Sequence, residues 1–385
     1  IMFFVIFFMK GFLYMDLNEL RQQIDIIDNE ILDKFIKRME LCLDVARYKK
    51  ENNIGVMQSS REQEIIDRVK DMSGEKYKDS TALLFTNIMD ISKSFQQREI
   101  NRGLTFIEKK PFEIKPSAKA GCFGVKGSNS EEAARKIFGK EKELSFYSEF
   151  EDVFKAVCNG EIDFGVVPLQ NSSTGSITQT YDLMRKYNVY INKMIRVSIR
   201  HCLAAKGTDI TGIEKVYSHP QALMQCSDFI ASKGLTPINY ESTSSAAELV
   251  SKSDEKIAAI CSPECAKLYG LDIIQENISD YETNFTRFIC ISKNFAVEEN
   301  ADIISVQLAI PNEERSLYRL LTKFTVLGLN LLKIESRPRH EGNFDVVFYL
   351  DFEGTMADER INSLLIHLEK DTTDFKFLGN YKELI

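Results

Sequence analysis

The sequence predicts a multidomain chain with three architectures in series: an all-α segment over residues 15–101, an α/β region over 119–294, and an α+β unit over 300–385. Three observations carry this. Residues 16–53 hold no Gly or Pro and repeat apolar side chains at helical spacing. From Lys119 onward short apolar runs alternate with helical patterns. The final stretch reads strand, helix, strand, strand, helix, strand.

In the first segment Leu17, Leu20, Ile24, Ile27, Ile31 and Phe35 recur at steps of three and four. They predict one amphipathic helix of about 36 residues, roughly 54 Å long at 1.5 Å per residue. So long a helix cannot bury its apolar stripe inside a small domain, so a helical dimer is expected. Two further helices, 60–72 and 80–101, are separated by a turn at Gly74. Residues 102–118, with Gly103, Pro111, Pro116 and several lysines, have no period and read as a linker. Strand candidates in the α/β region are 120–123, 144–147, 164–167, 216–217 and 257–260. Such open sheets, with helices on their faces, take ligands in a cleft at strand C-termini. In the last unit the strands are 303–310, 331–337, 344–352 and 375–381 and the helices 316–326 and 358–370, the ferredoxin-like order.

Lys and Arg total 49 and Asp and Glu 57 among 385 residues, giving a net charge of −8. With the cations dispersed, the overall field favours neither nucleic acid nor an anionic membrane, and an anionic ligand must meet local positive charge. Composition is ordinary at 44% hydrophobic and 28% charged, which excludes disorder for most of the chain. Eight cysteines without a C-x-x-C pair, and four histidines, predict reduced cytosolic thiols, a cytoplasmic location, no metal and no structural disulfide. Residues 1–14 carry an apolar run at 2–8 with no basic residue ahead of it and no small-residue cleavage site after it. They read as an upstream extension, with Met15 as the start.

On the first helix Arg38 and Lys49 are eleven residues apart, about 1100° at 100° per residue, and so share a face to within about 20°. Arg21 lies seventeen residues before Arg38, roughly 260° around, and is expected to serve another chain's pocket. Arg61 and Glu62 open the second helix, and Ser92 and Gln96 share a face of the third. Charges on helices are ordinarily solvated. Their order here, with Leu20, Ile24 and Asp25, resembles the all-helical AroQ-type chorismate mutase domain. The resemblance implies that Arg21 from a partner chain, Arg38 and Arg61 bind substrate carboxylates. Lys49 and Gln96 would then hydrogen-bond the ether oxygen and Glu62 the substrate hydroxyl, with Ser92 lining the site. A dianion rearranging through a pericyclic transition state needs fixed donors and cations and no covalent chemistry. Gln58 stands where many members carry Asp.

Four clusters in the α/β region lie at predicted strand ends. Gly124, Gly127 and Ser128 precede a helix whose N–H groups offer a seat for a carboxylate. Pro168, Leu169, Gln170, Asn171 and Ser172 follow one strand, and Ser218, His219, Pro220 and Gln221, with Gln225 and Cys226 beyond, follow another. Asn284, Phe285, Thr286, Arg287 and Phe288 lead into a third. Singly each reads as a cap or a loop; together they point to one cleft of neutral donors. In this order, with Glu241, Ser242 and Thr243 and the Ala258–Ala259 and Leu268–Leu271 stretches, they resemble prephenate dehydratase. That implies a two-lobed fold like periplasmic binding proteins, a catalytic hydroxyl at Thr286, and a pocket formed by Gly127, Ser128, Gln170, Asn171, Ser172, Ser218, Gln225, Glu241, Arg287 and Phe288. Gln170 departs from the usual Glu-Asn-Ser, and Val125 replaces a proline. An orienting role is expected at 170, since a free carboxylate beside a dianion is costly.

The last unit carries Glu335, Ser336, Arg337 and Pro338 at a strand end. This matches the Glu-Ser-Arg-Pro motif of the ACT domain, which implies phenylalanine as an allosteric ligand. The companion Gly-Ala-Leu motif is replaced by Arg315, Ser316 and Leu317. The whole resembles bifunctional chorismate mutase/prephenate dehydratases: substrates chorismate and prephenate, no cofactor, a homo-oligomer, no nucleic acid and no membrane. Two alternatives are an arogenate dehydratase with a structural mutase domain and a catalytically silent phenylalanine-responsive binding protein.

Overall fold

The computed structural model describes all residues except 1–15, 53, 56–58, 208, 281–282 and 339–345. The proposed extension 1–14, Met15, Gln58 and the first two residues of the strand expected at 344–352 therefore lie outside the described residues. The chain divides into two compact units, one comprising the chain up to Leu104 with Arg315–Gly328, the other Thr105–Glu314 with Leu329–Ile385.

In the first unit α1 (Leu17–Glu51, 35 residues) begins where the Glu19 carboxylate accepts from the Asp16 N–H at 3.1 Å. Such a bond satisfies one of the orphan donors of a helix start. Helix α2 (Ser59–Ile100) is broken only at Gly74, with φ 68° and ψ 164°. The expected seven-residue gap is absent, because a glycine in the left-handed region turns the chain alone. The helix Ser316–Val326 belongs to this unit, where the Tyr318 hydroxyl donates to Asn87 at 2.7 Å. Leu17, Leu20, Ile24, Ile27 and Ile31 are all 43–58% exposed on α1.

The second unit holds three sheets. In the first lobe the central strands are β1 (Ala120–Phe123), β2 (Leu144–Tyr147), β3 (Phe164–Asn171) with its short partner β4 (Gly175–Ser176), and β5 (Tyr190–Ser198). The second lobe is built on β6 (Cys202–Ala205), β7 (Lys215–Ser218), β8 (Thr236–Asn239), β9 (Ile257–Cys261) and β10 (Asp272–Gln275) in the order β10-β6-β9-β7-β8. The chain returns to the first lobe as β11 (Phe285–Ser292), inserted antiparallel between β3 and β5.

The third sheet contains β12 (Ile303–Ala309), β13 (Leu331–Pro338), β14 (Val346–Glu353) and β15 (Thr373–Tyr381), ordered β13-β14-β12-β15 and antiparallel throughout. A final strand, β16 (Glu383–Leu384), leaves this sheet and pairs parallel with β5, making the first-lobe order β16-β5-β11-β3-β1-β2.

Three expected domains thus become two units. The reason is a single core: Phe154, Leu169, Met184 and Ile289 of the first lobe pack in one cluster with Ala309, Val347, Tyr349, Leu378 and Tyr381 of the third sheet. Nor is 102–118 a free tether. Lys110 and Phe112 exchange backbone hydrogen bonds with Val297, and Phe106 stacks edge-on against Phe375 and Phe377. A backbone that finds partners of this kind is held as part of the fold. Among the described residues no helix is long and apolar enough to cross a membrane, and no group of three His, Cys, Asp or Glu is placed to hold a metal.

Candidate active sites

In the helical unit the Arg38 guanidinium donates to the Ser92 hydroxyl, and Lys49 Nζ to Gln96 Oε1 at 3.5 Å. The i,i+4 spacing of Ser92 and Gln96 on α2 therefore meets the eleven-residue spacing of Arg38 and Lys49 on α1. Lys49, Ser92 and Gln96 are buried, and desolvation lowers the Lys49 pKa below the ordinary lysine value. Glu62 pairs with Lys93 at 3.0 Å, and its charge acts on Lys49. Arg61 is exposed and paired with Glu64 at 2.9 Å, outside this cluster. Arg21 stands about 26 Å from Arg38 and about 42 Å from Lys49 along the same straight element, so it cannot complete the pocket of its own chain.

In the second unit the two lobes meet on a closed circuit of polar side chains. Asn171 Nδ2 donates to Asn284 Oδ1 (2.9 Å), Asn284 Nδ2 to Gln225 Oε1 (3.0 Å), Gln225 Nε2 to Ser173 Oγ (2.8 Å), and Ser173 Oγ back to Asn171 Oδ1 (2.6 Å). Buried His201 adds its Nε2 to Gln225 Oε1 at 3.1 Å, and burial keeps its pKa below the usual histidine value. A neutral ring fits a proton on Nε2, because that oxygen can only accept. Asn171 Nδ2 also donates to Thr286 Oγ1 at 2.9 Å. The threonine oxygen is thereby occupied as an acceptor, and its own proton is left to donate. Ladder register places Thr286 directly opposite Asn171, which is why residues 115 apart in sequence share one bond.

The same register corrects part of the expected pocket. Gln170 lies opposite Arg287, one step along each strand, and side chains of successive strand residues point to opposite faces. Their mutual bond, Arg287 Nη1 to Gln170 Oε1 at 3.3 Å, forms on the side of the sheet away from Thr286. Phe288, paired with Pro168 past a bulge in β3, is buried in the core with Cys122, Ala134 and Val166. Ser218 is fully buried and donates to the Ile260 carbonyl at 2.6 Å, pinning β7 to β9 and leaving no proton for a ligand. The Ser172 hydroxyl accepts from the Phe285 N–H at 3.0 Å, and Glu241 is exposed just ahead of the helix capped by Ser242.

The glycine loop is also occupied. The Gly127 N–H is taken by Glu131, itself paired to Arg135, while Ser128 caps the helix Asn129–Phe138 by accepting from the Glu131 N–H. The seat expected for a substrate carboxylate is filled by a side chain of the loop's own helix. A Cβ at Gly127 (φ 84°) would come within 2.8 Å of Ser244 Oγ in the second lobe, so glycine permits this closure. A cavity of about 550 Å³ beside this loop is lined by Lys126, Glu131, Arg135 and Lys140 but by neither Asn171 nor Thr286. Sequence reasoning missed His201 and Ser173. His201, one of only four histidines and set against an apolar strand, was the available signal.

On β13, Glu335 accepts from Ser176 at 2.8 Å and pairs with Arg337 at 2.9 Å, whereas Ser336 and Pro338 are exposed on the other face. Leu317 is 40% exposed on the helix Ser316–Val326, in the other unit. Arg315, at the start of that helix, has φ 67° and ψ 4°. A non-glycine residue there is strained by about 1–2 kcal/mol. Arg315→Gly is therefore expected to stabilise the helical unit by about 1 kcal/mol, read as a higher denaturant midpoint; an unchanged or lower midpoint would show that contacts of the arginine offset the strain.

Two family profiles match the chain: "Chorismate mutase type II" over residues 20–97 and "Prephenate dehydratase" over 120–296. The bifunctional chorismate mutase/prephenate dehydratase of Aquifex aeolicus is 32% identical over 372 residues, covering 96% of this chain and 99% of that protein. The chain belongs to the bifunctional chorismate mutase/prephenate dehydratase family. It carries both activities of phenylalanine biosynthesis on one polypeptide. An arogenate dehydratase/prephenate dehydratase of Arabidopsis thaliana is 35% identical over 271 residues, 67% of this chain and 71% of that protein. Among solved structures, prephenate dehydratase from Arthrobacter aurescens in complex with L-Phe superposes with a TM-score of 0.63 at 27% identity, covering 68% of this chain and 89% of that one. The two-lobed α/β architecture is common to both.

Proposed function

We propose that the two activities are divided between the two clusters just described, the mutase on Arg38, Lys49, Ser92, Gln96 and Glu62 and the dehydratase on Thr286 and the Asn171 circuit. The observation that carries the dehydratase reading is the Asn171–Thr286 bond, which leaves the threonine proton free to meet the departing ring hydroxyl of prephenate. Loss of carbon dioxide and hydroxide restores an aromatic ring, so the driving force lies in the substrate. What the protein supplies is orientation and one hydrogen-bond donor. The substrate carboxylates are met by neutral donors rather than by Gln170 or Arg287. Phenylalanine is read as the feedback ligand of an ACT domain formed by 300–385, with Glu335 as the nearest matched motif residue; the A. aurescens dehydratase was solved with L-Phe bound. The assay is phenylpyruvate formation from chorismate and then from prephenate, with and without phenylalanine. No product from prephenate removes the dehydratase assignment, and no prephenate from chorismate removes the mutase assignment.

The mutase site is completed by a second copy of the chain. The exposed stripe from Leu17 to Ile31 supplies the apolar surface, and Arg21 lies on the same segment. In a two-fold dimer each copy lends its Arg21 to the other. Mixing an Arg21→Ala chain with a Lys49→Met chain, refolded together in equal amounts, then restores about a quarter of wild-type mutase activity, because one site of each mixed dimer is intact. No recovery over either parent would place Arg21 outside the site.

A further inference from the structure

A row of polar side chains crosses the first-lobe sheet on the face opposite Thr286. Glu383 on β16 accepts from Arg287 through Nε at 2.8 Å and Nη2 at 3.2 Å, a two-pronged ion pair. It also accepts from Arg196 Nε at 3.1 Å. Arg287 continues to Gln170 Oε1, and Gln170 pairs in register with Ser176, whose hydroxyl bonds Glu335. Glu383 is only 13% exposed, and a carboxylate held by two guanidiniums in partial burial is strongly oriented. Nothing in the third sheet's own pairing calls for this strand. It departs from β15 to join β5, with the Met194 N–H donating to the Lys382 carbonyl at 3.2 Å.

The geometry points to Glu383 as a positioning residue of the dehydratase, which fixes the Thr286 hydroxyl by gripping Arg287, itself bonded to Gln170 beside the bulge of β3. The extra residue is Leu169 of β3, since Arg287 stands opposite Gln170 but Phe288 opposite Pro168. At a bulge the ladder is locally broken, and the direction of neighbouring side chains is set by whatever holds the extra residue. Here Gln170, next to the extra residue, is held by Arg287, and Arg287 by the ion pair. Thr286 is the adjacent residue, so a rotation of Arg287 about the strand axis carries the hydroxyl with it. A displacement near 1 Å at a reacting group costs up to about 100-fold in rate. Glu383 belongs to neither motif through which the family was recognised. The inference rests on the reading of Thr286 as the hydroxyl that meets the substrate.

The test uses the full chain, with mutase activity as the control for the other unit. Glu383→Gln is expected to lower dehydratase kcat by about 10- to 100-fold with KM for prephenate nearly unchanged. Glu383→Asp, which keeps the charge, is expected to recover most of the loss. In a double-mutant cycle Glu383→Gln with Arg287→Gln should be no worse than the more damaging single change, since both act through one link. An unchanged kcat for Glu383→Gln, a loss confined to KM, or fully additive losses in the cycle would each overturn the proposal. An equal loss for Glu383→Asp and Glu383→Gln, with a collapsed thermal transition, would assign the strand to folding alone and also overturn it. Thr286→Val separates the two readings: full activity there refutes the threonine, whereas loss there with an intact Glu383→Gln enzyme refutes only the relay.

Discussion

Thr286→Val is expected to lower dehydratase turnover by about 10²- to 10⁴-fold, the range for loss of a positioned proton or hydrogen-bond donor. The substitution is close to isosteric. Asn171 Nδ2 loses one acceptor but keeps Asn284 Oδ1 at 2.9 Å and the Phe285 carbonyl at 3.3 Å, so the cost to folding is about 1 kcal/mol. KM for prephenate should change little, because the ring hydroxyl needs its donor most as it departs. Mutase activity of the same preparation should be untouched. Asn171→Ala should cost more than its own contacts suggest: it opens the circuit through Asn284, Gln225 and Ser173 and frees the threonine to rotate. Steady-state kinetics on prephenate decides this. A Thr286→Val enzyme within about threefold of wild type would show that the hydroxyl contributes no more than an ordinary uncharged hydrogen bond.

Lys49→Met is expected to lower mutase kcat by about 10²- to 10³-fold or more, as removal of one preorganised donor to a developing oxyanion does. Dehydratase activity in the other unit is expected to stay at the wild-type value. Burial lowers the Lys49 pKa, with the charges of Cys42 and Glu62 acting in the opposite direction. The sign follows directly. The charged amine is the active form, so mutase activity is full at low pH and falls as pH rises through a lysine pKa below the usual 10.4 or so. Lys49→Arg should abolish that alkaline limb, since guanidinium does not titrate there, while retaining only part of the rate because its fork does not match a single-point donor. A pH profile of kcat for chorismate measures both. An alkaline limb unchanged in Lys49→Arg would assign it to another group.

Much of this was legible before any coordinates. Helical and strand periods placed the long helices and the strands of the third sheet, because the burial of one face imposes its period on the sequence, whereas β5, β6, β8 and β10 were not foreseen. The eleven-residue step from Arg38 to Lys49 meets the four-residue step from Ser92 to Gln96 in two side-chain bonds, since helix geometry relates sequence distance to direction without further information. The same arithmetic separated Arg21. Strand side was another matter. Gln170, Arg287, Asn171 and Thr286 are neighbours in two short motifs, and a motif does not say which of two adjacent strand residues faces the cleft.

What the sequence by itself determined is the family, the two chemistries, and the series of helical, α/β and βαββαβ regions. Only the tertiary structure decided that Thr286 and Asn171 share one face while Arg287 and Gln170 share the other, and that β16 returns to grip the strand behind the threonine. It also decided that 105–385, apart from Arg315–Gly328, forms one compact unit rather than two domains and a tether. The physical reason is the same in each case. Period and charge are local properties that a sequence carries along its length, whereas register, closure and a shared core arise from pairings between residues about a hundred or more positions apart, which the chain specifies only when folded.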